Sequence, residues 1–295
     1  MNISILILTL NEEKNLSRCL ESVSWSDDVV VLDSLSGDRT VEIARRAGAR
    51  VVERRFDGER AHRTASLRIP FKHPWVYNPD ADEVATAELR DQMLAVTADP
   101  CRPEVAYRVR RKDMFMGRWL RHCSLYPTWL VRLFRPEAIR FERDINLRYL
   151  VDGPEGRLDG HMIHYSFEKG LDAWFEKHNR YSSAEALEML ATLRERPASW
   201  LELLSRDPVA RRRGLKDLSF RLPCRPALRF CYTYFARLGF LDGVPGLTYC
   251  RLLSIYEYLI GLKAQEILAQ CPRSKCPIES LNHPIRVDRR SSAAQ

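Results

Sequence analysis

The stretch Ile3-Ser4-Ile5-Leu6-Ile7-Leu8-Thr9-Leu10-Asn11-Glu12-Glu13 decides how this chain folds. Its apolar run is far shorter than the roughly 18 residues a membrane span requires. It has no basic flank and passes straight into charged residues, so it reads as a strand entering a helix and not as a signal peptide. An unbroken apolar run, without alternation, is the pattern of a strand buried on both faces of a parallel sheet. Downstream the same unit repeats. A helix over 12–24 carries Leu16, Cys19, Leu20 and Val23 at helical spacing, and Val29–Leu32 is a second buried strand ending at Asp33. A helix over 39–47, a strand over 50–54, a helix over 58–67, a strand over 75–78 and a helix over 86–97 complete the N-terminal half. Strands and helices alternating through short joints predict a parallel sheet with helices on both sides. Ligands of such sheets sit beyond the carboxyl ends of the strands, where Thr9, Asn11, Asp33, Asp80 and Asp82 fall.

Beyond Val105 the pattern changes to alternating strands, over 106–112, 129–134 and 158–165, and then to a long helical stretch over 167–194. Two amphipathic stretches follow, at 228–238 and 247–268, and a tail rich in Pro, Arg and Ser ends the chain. At 295 residues, 45% hydrophobic and 29% charged, the composition is that of a globular protein and excludes wholesale disorder. The eight cysteines read as reduced thiols in a cytosolic protein; Cys271 and Cys276 lack the further ligands a zinc site needs. The net charge of +8, with only eight lysines among 47 basic residues, suits contacts to phosphates or anionic headgroups. No nucleic-acid recognition motif accompanies that charge, so nucleic acid is not expected as a partner.

Asp80-Ala81-Asp82 is the sharpest chemical signal. Two carboxylates two residues apart, just past a buried strand, can grip one hard divalent cation together with a diphosphate, or can simply form a solvated acidic turn. Asp33 at its own strand end can accept a hydrogen bond from a base or ribose, or cap a turn. His161 and His164 can ligate a metal, although a histidine packed within a sheet is the more ordinary reading. Arg211-Arg212-Arg213, beside the aromatic stretches 230–235 and 249–258, fits either a solvated face of a helical bundle or a surface for anionic headgroups.

Taken in order, Ile5–Glu13, Val30-Val31-Leu32-Asp33-Ser34 with Ser36-Gly37-Asp38-Arg39-Thr40, and Trp75–Glu83 resemble the family 2 glycosyltransferases. Gly117-Arg118-Trp119, Leu130–Phe134, His164-Tyr165-Ser166, Lys177–Ser182 and Gly239–Gly243 are similar to the bacterial members that build lipopolysaccharide cores and exopolysaccharides. The resemblance runs to about residue 268. It implies a GT-A-type, Rossmann-like mixed sheet flanked by helices, with a nucleotide-sugar-binding catalytic domain over 1–166, a helical acceptor- and membrane-facing extension over 167–271 and a disordered tail over 272–295. It further implies a nucleotide-diphospho-sugar donor, Mg²⁺ or Mn²⁺, and transfer with inversion to a lipid-linked saccharide. Thr9, Asn11, Glu12, Asp33 and Arg63 would hold the donor, Asp80 would lie near the ribose and metal, and Asp82 would bind the metal.

The sequence departs from the family pattern in three places. Thr64 follows Arg63 where Asn is usual, and Pro79 precedes the D-x-D where an aliphatic residue is usual. The His-Glu dipeptide of many relatives, whose carboxylate takes the acceptor proton, aligns with Asn146-Leu147; Glu142 and Asp144 are the nearest carboxylates, and Asp144 is the expected base. A polyprenyl-phosphate acceptor, which needs no base, or a degenerate scaffold without catalysis, is the alternative that this departure keeps open. The expected location is cytoplasmic, peripheral on the anionic inner face of the cytoplasmic membrane.

Overall fold

The computed structural model describes residues 2–142, 147–195, 211, 214, 218–222 and 224–270. Its chain separates into two compact units: Met1–Leu171 with Thr233–Tyr249, and Asp172–Tyr232 with the chain from Cys250 onward. The sequence reading keeps 167–271 together as one extension, so the return of 233–249 to the first unit is a feature that reading does not contain.

In the first unit β1 (Ile3–Thr9), β2 (Val29–Asp33), β3 (Arg50–Glu53) and β4 (Trp75–Tyr77) run parallel, in the order β3-β2-β1-β4. The sheet then turns mixed, continuing through β8 (Thr128–Phe134), β6 (Ala106–Phe115) and β11 (Glu155–His164) to β5 (Glu83–Ala85), with β7 (Arg118–Trp119) paired to β6. A separate hairpin joins β9 (Ile139–Glu142) and β10 (Arg148–Val151). The connecting helices are α1 (Leu16–Ser22), α2 (Thr40–Arg46), α3 (Glu59–Ser66) and α4 (Ala87–Ala98). This is the mixed α/β sheet flanked by helices that the sequence leads one to expect.

The two faces of β1 show why its sequence is apolar throughout. Ile3, Ile5 and Ile7 pack with Leu16, Cys19 and Leu20 of α1 and with Leu89 and Met93 of α4. Leu6 packs on the other side with Val30, Leu32, Val76 and Phe134, against which Leu67, Ile69, Phe141 and Tyr149 also lie. Each such fully buried aliphatic or aromatic side chain contributes about 1.5–3 kcal/mol. Thr86 starts α4 as a cap, its hydroxyl accepting from the Leu89 amide at 3.3 Å.

The second unit contains α5 (Leu171–Glu195), α6 (Arg225–Cys231) and most of α7 (Gly243–Gln270). Ala186 and Leu190 of α5 pack with Ile260 and Ala264 of α7, and Lys263 donates to Asn179 Oδ1 (2.6 Å) and Ser183 Oγ (2.8 Å). Among the described residues no helix is long and apolar enough to cross a membrane.

Candidate active site

The carboxyl ends of β1 and β2 are tied together by side chains. Asp33, wholly buried, accepts from the Thr9 hydroxyl (2.8 Å), the Ser36 hydroxyl (2.6 Å) and the Ser36 amide (2.7 Å). Three of its roughly four acceptor positions therefore serve its own turn. Asn11 sits at φ 55, a left-handed position that Asn tolerates better than most residues. Its amide donates to Ser36 Oγ and its side-chain oxygen accepts from the Gly37 amide (2.9 Å). The Glu12 amide donates to Thr40 Oγ1 (2.7 Å), and the Glu12 carboxylate accepts from Lys169 Nζ (2.6 Å) and Asn15 Nδ2 (2.9 Å). Burial raises the Glu12 carboxyl above its usual range against the pull of Lys169 and Asn15. Thr9, Asn11, Glu12 and Asp33 are thus brought together, as one hydrogen-bonded rim.

The D-x-D segment follows β4, and its Asp80 backbone continues the parallel pairing beside Leu8. Arg63 of α3 reaches it, donating from Nη2 to Asp80 (3.3 Å), from Nη1 to Asn78 Oδ1 (3.3 Å) and the Tyr149 hydroxyl (2.9 Å), and from Nε to Glu59 (2.6 Å). From β8, Arg132 Nη2 donates to Asp80 Oδ2 and to Glu83 Oε1, the latter at 2.8 Å. Burial alone would raise the Asp80 carboxyl, but the Arg132 and Arg63 guanidinium groups hold it far below the usual carboxylate range. The neighbouring Glu83 is pushed up by burial, with Arg132 opposing. Asp80 is therefore a fixed anion between two cations.

Asp82 has a different neighbour. His164, at the end of β11, points Nε2 to Asp82 Oδ2 at 3.3 Å while Nδ1 lies 2.7 Å from Asp113 Oδ1 of β6. Burial would lower this imidazole, yet the hydrogen bonds to Asp113 and Asp82 push it up to about 9. A carboxylate on one ring nitrogen that orients the other toward a second carboxylate is the arrangement that prepares histidine as a metal ligand. Among the described residues, no three His, Cys, Asp or Glu side chains by themselves form a group able to hold an ion.

The sequence singled out Arg63, Asp80 and Asp82, which lie together here, and weighed His164 as a metal ligand against the more ordinary packed histidine; Arg132 it did not single out as a member of the site. Nothing in the local sequence marks Arg132, which stands in an apolar strand, and the partners of His164 are distant in the chain. Asp144, Arg212, Arg213, Cys271, Cys276 and the tail over 272–295 lie outside the described residues.

The family model Glycosyl transferase family 2 matches residues 4–153, half of the chain, and the chain belongs to that family. An uncharacterised glycosyltransferase of Rickettsia typhi is 26% identical over 277 residues, covering 90% of this chain and 87% of that protein. The lipopolysaccharide core biosynthesis glycosyltransferase LpsC of Rhizobium meliloti is 23% identical over 273 residues, covering 88% of this chain and 91% of its own. The structure of the mannosyltransferase PcManGT from Pyrobaculum calidifontis, in complex with GDP-Man and Mn²⁺, covers 90% of this chain and 87% of its own at 18% identity and a TM-score of 0.46.

Proposed function

We propose that this family 2 glycosyltransferase moves a sugar, with inversion, from a nucleotide-diphospho-sugar to a lipid-linked saccharide in lipopolysaccharide-core or exopolysaccharide assembly. The observation that carries the reading is the gathering of Asp80, Asp82, Arg63, Arg132 and His164 beyond the strand ends of a family 2 chain. The likeness to LpsC over most of both chains supports the acceptor class. In this reading the rim of Thr9, Asn11, Glu12 and Asp33 holds the nucleoside, and Arg63 faces the diphosphate.

Mg²⁺ or Mn²⁺ fits the donor set. Asp82 and His164 would hold it, with Asp80 beside them; two protein ligands suffice where substrate phosphates and water complete the shell. When bound, such an ion neutralises charge on the departing diphosphate. The imidazole must give up its proton to ligate, so ion binding is favoured as pH rises. The acceptor hydroxyl attacks the anomeric carbon, the bond to the diphosphate breaks, and the acceptor proton passes to a carboxylate base, for which Asp144 is the candidate.

We place the enzyme on the cytoplasmic side, peripheral to an anionic membrane. Exposed aromatic residues Tyr232, Phe235 and Tyr258 support that placement.

A panel of UDP- and GDP-sugars with Mn²⁺ tests the proposal. Turnover, by hydrolysis or transfer, is expected, falling on the order of 100-fold in Asp82→Ala. Failure of every donor to bind or turn over sinks the reading.

A further inference from the structure

Strand β6 carries a second feature on the face that turns away from Asp113 and His164. Alternation along the strand puts Arg108, Arg110 and Lys112 on one side. The register sets Trp129 of β8 beside Arg110, Arg157 of β11 beside Arg108, and His161 beside Arg110. Trp119 of β7 stands opposite Met114 on the same side.

The cations lie over the indole rings. Arg110 and Arg157 approach the Trp129 ring at 5.5 and 5.2 Å, and Lys112 and Arg121 approach Trp119 at 4.6 and 5.7 Å. Cation–π contacts of this kind are worth about 0.5–1 kcal/mol at exposed sites and leave the charge unneutralised. Carboxylates are scarce. Glu155 pairs with Arg108 at 2.5 Å, and Asp159, 82% exposed, is 3.7 Å from Arg110. Lys112, Arg121 and Arg157 pair with no carboxylate among the described residues. The Trp119 indole N–H and Arg110 Nε are buried, with no hydrogen-bond partner among the described residues. Consistent with an excess of positive charge, His161 is lowered by burial and by Lys112 and Arg110.

We propose that this face binds the phosphate group of a phosphorylated saccharide, Lys112, Arg110 and Arg157 meeting the anion and Trp119 and Trp129 bordering the sugar. The assignment of that saccharide as the acceptor rests on the glycosyltransferase reading; the anion site itself does not. A bilayer is a poorer occupant, because β6, β8 and β11 carry no large exposed apolar side chain to insert.

The test compares pentamannose monophosphate with neutral pentamannose by calorimetry, using the full chain and a Lys112→Gln/Arg157→Gln variant. Arg157 is exposed and Lys112 half-buried, so circular dichroism and UDP or GDP titration check that the variant folds and keeps its nucleotide site. The phosphorylated sugar should bind at least about tenfold more tightly than the neutral one, and the variant should lose about tenfold, as expected for one or two charge-assisted contacts. Equal binding of both sugars, or an unchanged variant, overturns the proposal. So does affinity confined to phosphatidylglycerol vesicles or to poly(U). If UDP and GDP fail to bind while the phosphorylated sugar does, the glycosyltransferase reading fails and the anion site stands.

Discussion

Arg132 is the cation on which the D-x-D loop rests, and Arg132→Met measures how much. Its side chain is 5% exposed, and the carboxylate it shares with Asp80 belongs to Glu83, which is fully buried. Breaking a buried pair by removing one partner costs about 3–5 kcal/mol, because the remaining charge is left without compensation. Asp80 adds little to that figure, since it is 36% exposed and keeps Arg63 as a second partner. Glu83 then carries most of the loss, so Glu83→Gln in the same protein should return part of it. We expect the double variant to be less destabilised than the sum of the singles by about 2 kcal/mol. Urea unfolding reads both numbers as shifts in midpoint at an unchanged slope. A loss below about 1 kcal/mol for Arg132→Met, or strict additivity in the double variant, refutes the reasoning.

Two further outcomes follow from local geometry. A Cβ at Gly160, beside the irregularity in β11, would sit 2.5 Å from the Leu89 Cα of α4, so Gly160→Ala should cost about 1–3 kcal/mol, read as a lowered melting temperature. Asp242 accepts from the amides of Arg121 (3.2 Å), His122 (2.9 Å) and Cys123 (2.9 Å), which with His122 Nδ1 outweigh burial and lower its carboxyl. A carboxyl lowered on folding stabilises above the unfolded value of about 3.9 and loses that contribution as pH falls through its folded value. The gap in stability between the protein and Asp242→Asn should therefore be constant from neutral pH down to about 5 and shrink below about 4. A gap that instead narrows toward alkaline pH would contradict this assignment.

The central strands were legible because burial on both faces leaves an unbroken apolar run, as in Ile5-Leu6-Ile7-Leu8 and Val29-Val30-Val31-Leu32. Strands β5, β7, β9 and β10 were not, being two to four residues long and rich in charge. Such strands are set by the partners they pair with, and a local pattern does not carry that information. The D-x-D was legible for the same reason as β4, as its position after an apolar run is a local property. His164 stood out as a possible ligand, but that it and Arg132 close on the D-x-D was not legible, because they meet it only through the order β4-β8-β6-β11-β5. Asp33 is an intermediate case. Ser36 three residues on announces a turn, and the structure shows that turn occupying three of the oxygen positions that a ligand would use.

The segment 233–249 belongs to the first unit, although some sixty residues of the second unit precede it in the chain. During synthesis the amides of Arg121, His122 and Cys123 must therefore wait for Asp242 to leave the ribosome, at about 5–20 residues per second. For several seconds the loop over 120–126 has its strands but not its anchor. The first unit thus begins folding early yet lacks part of itself until Tyr249 has emerged, and a chain stopped at residue 171 would remain without that part.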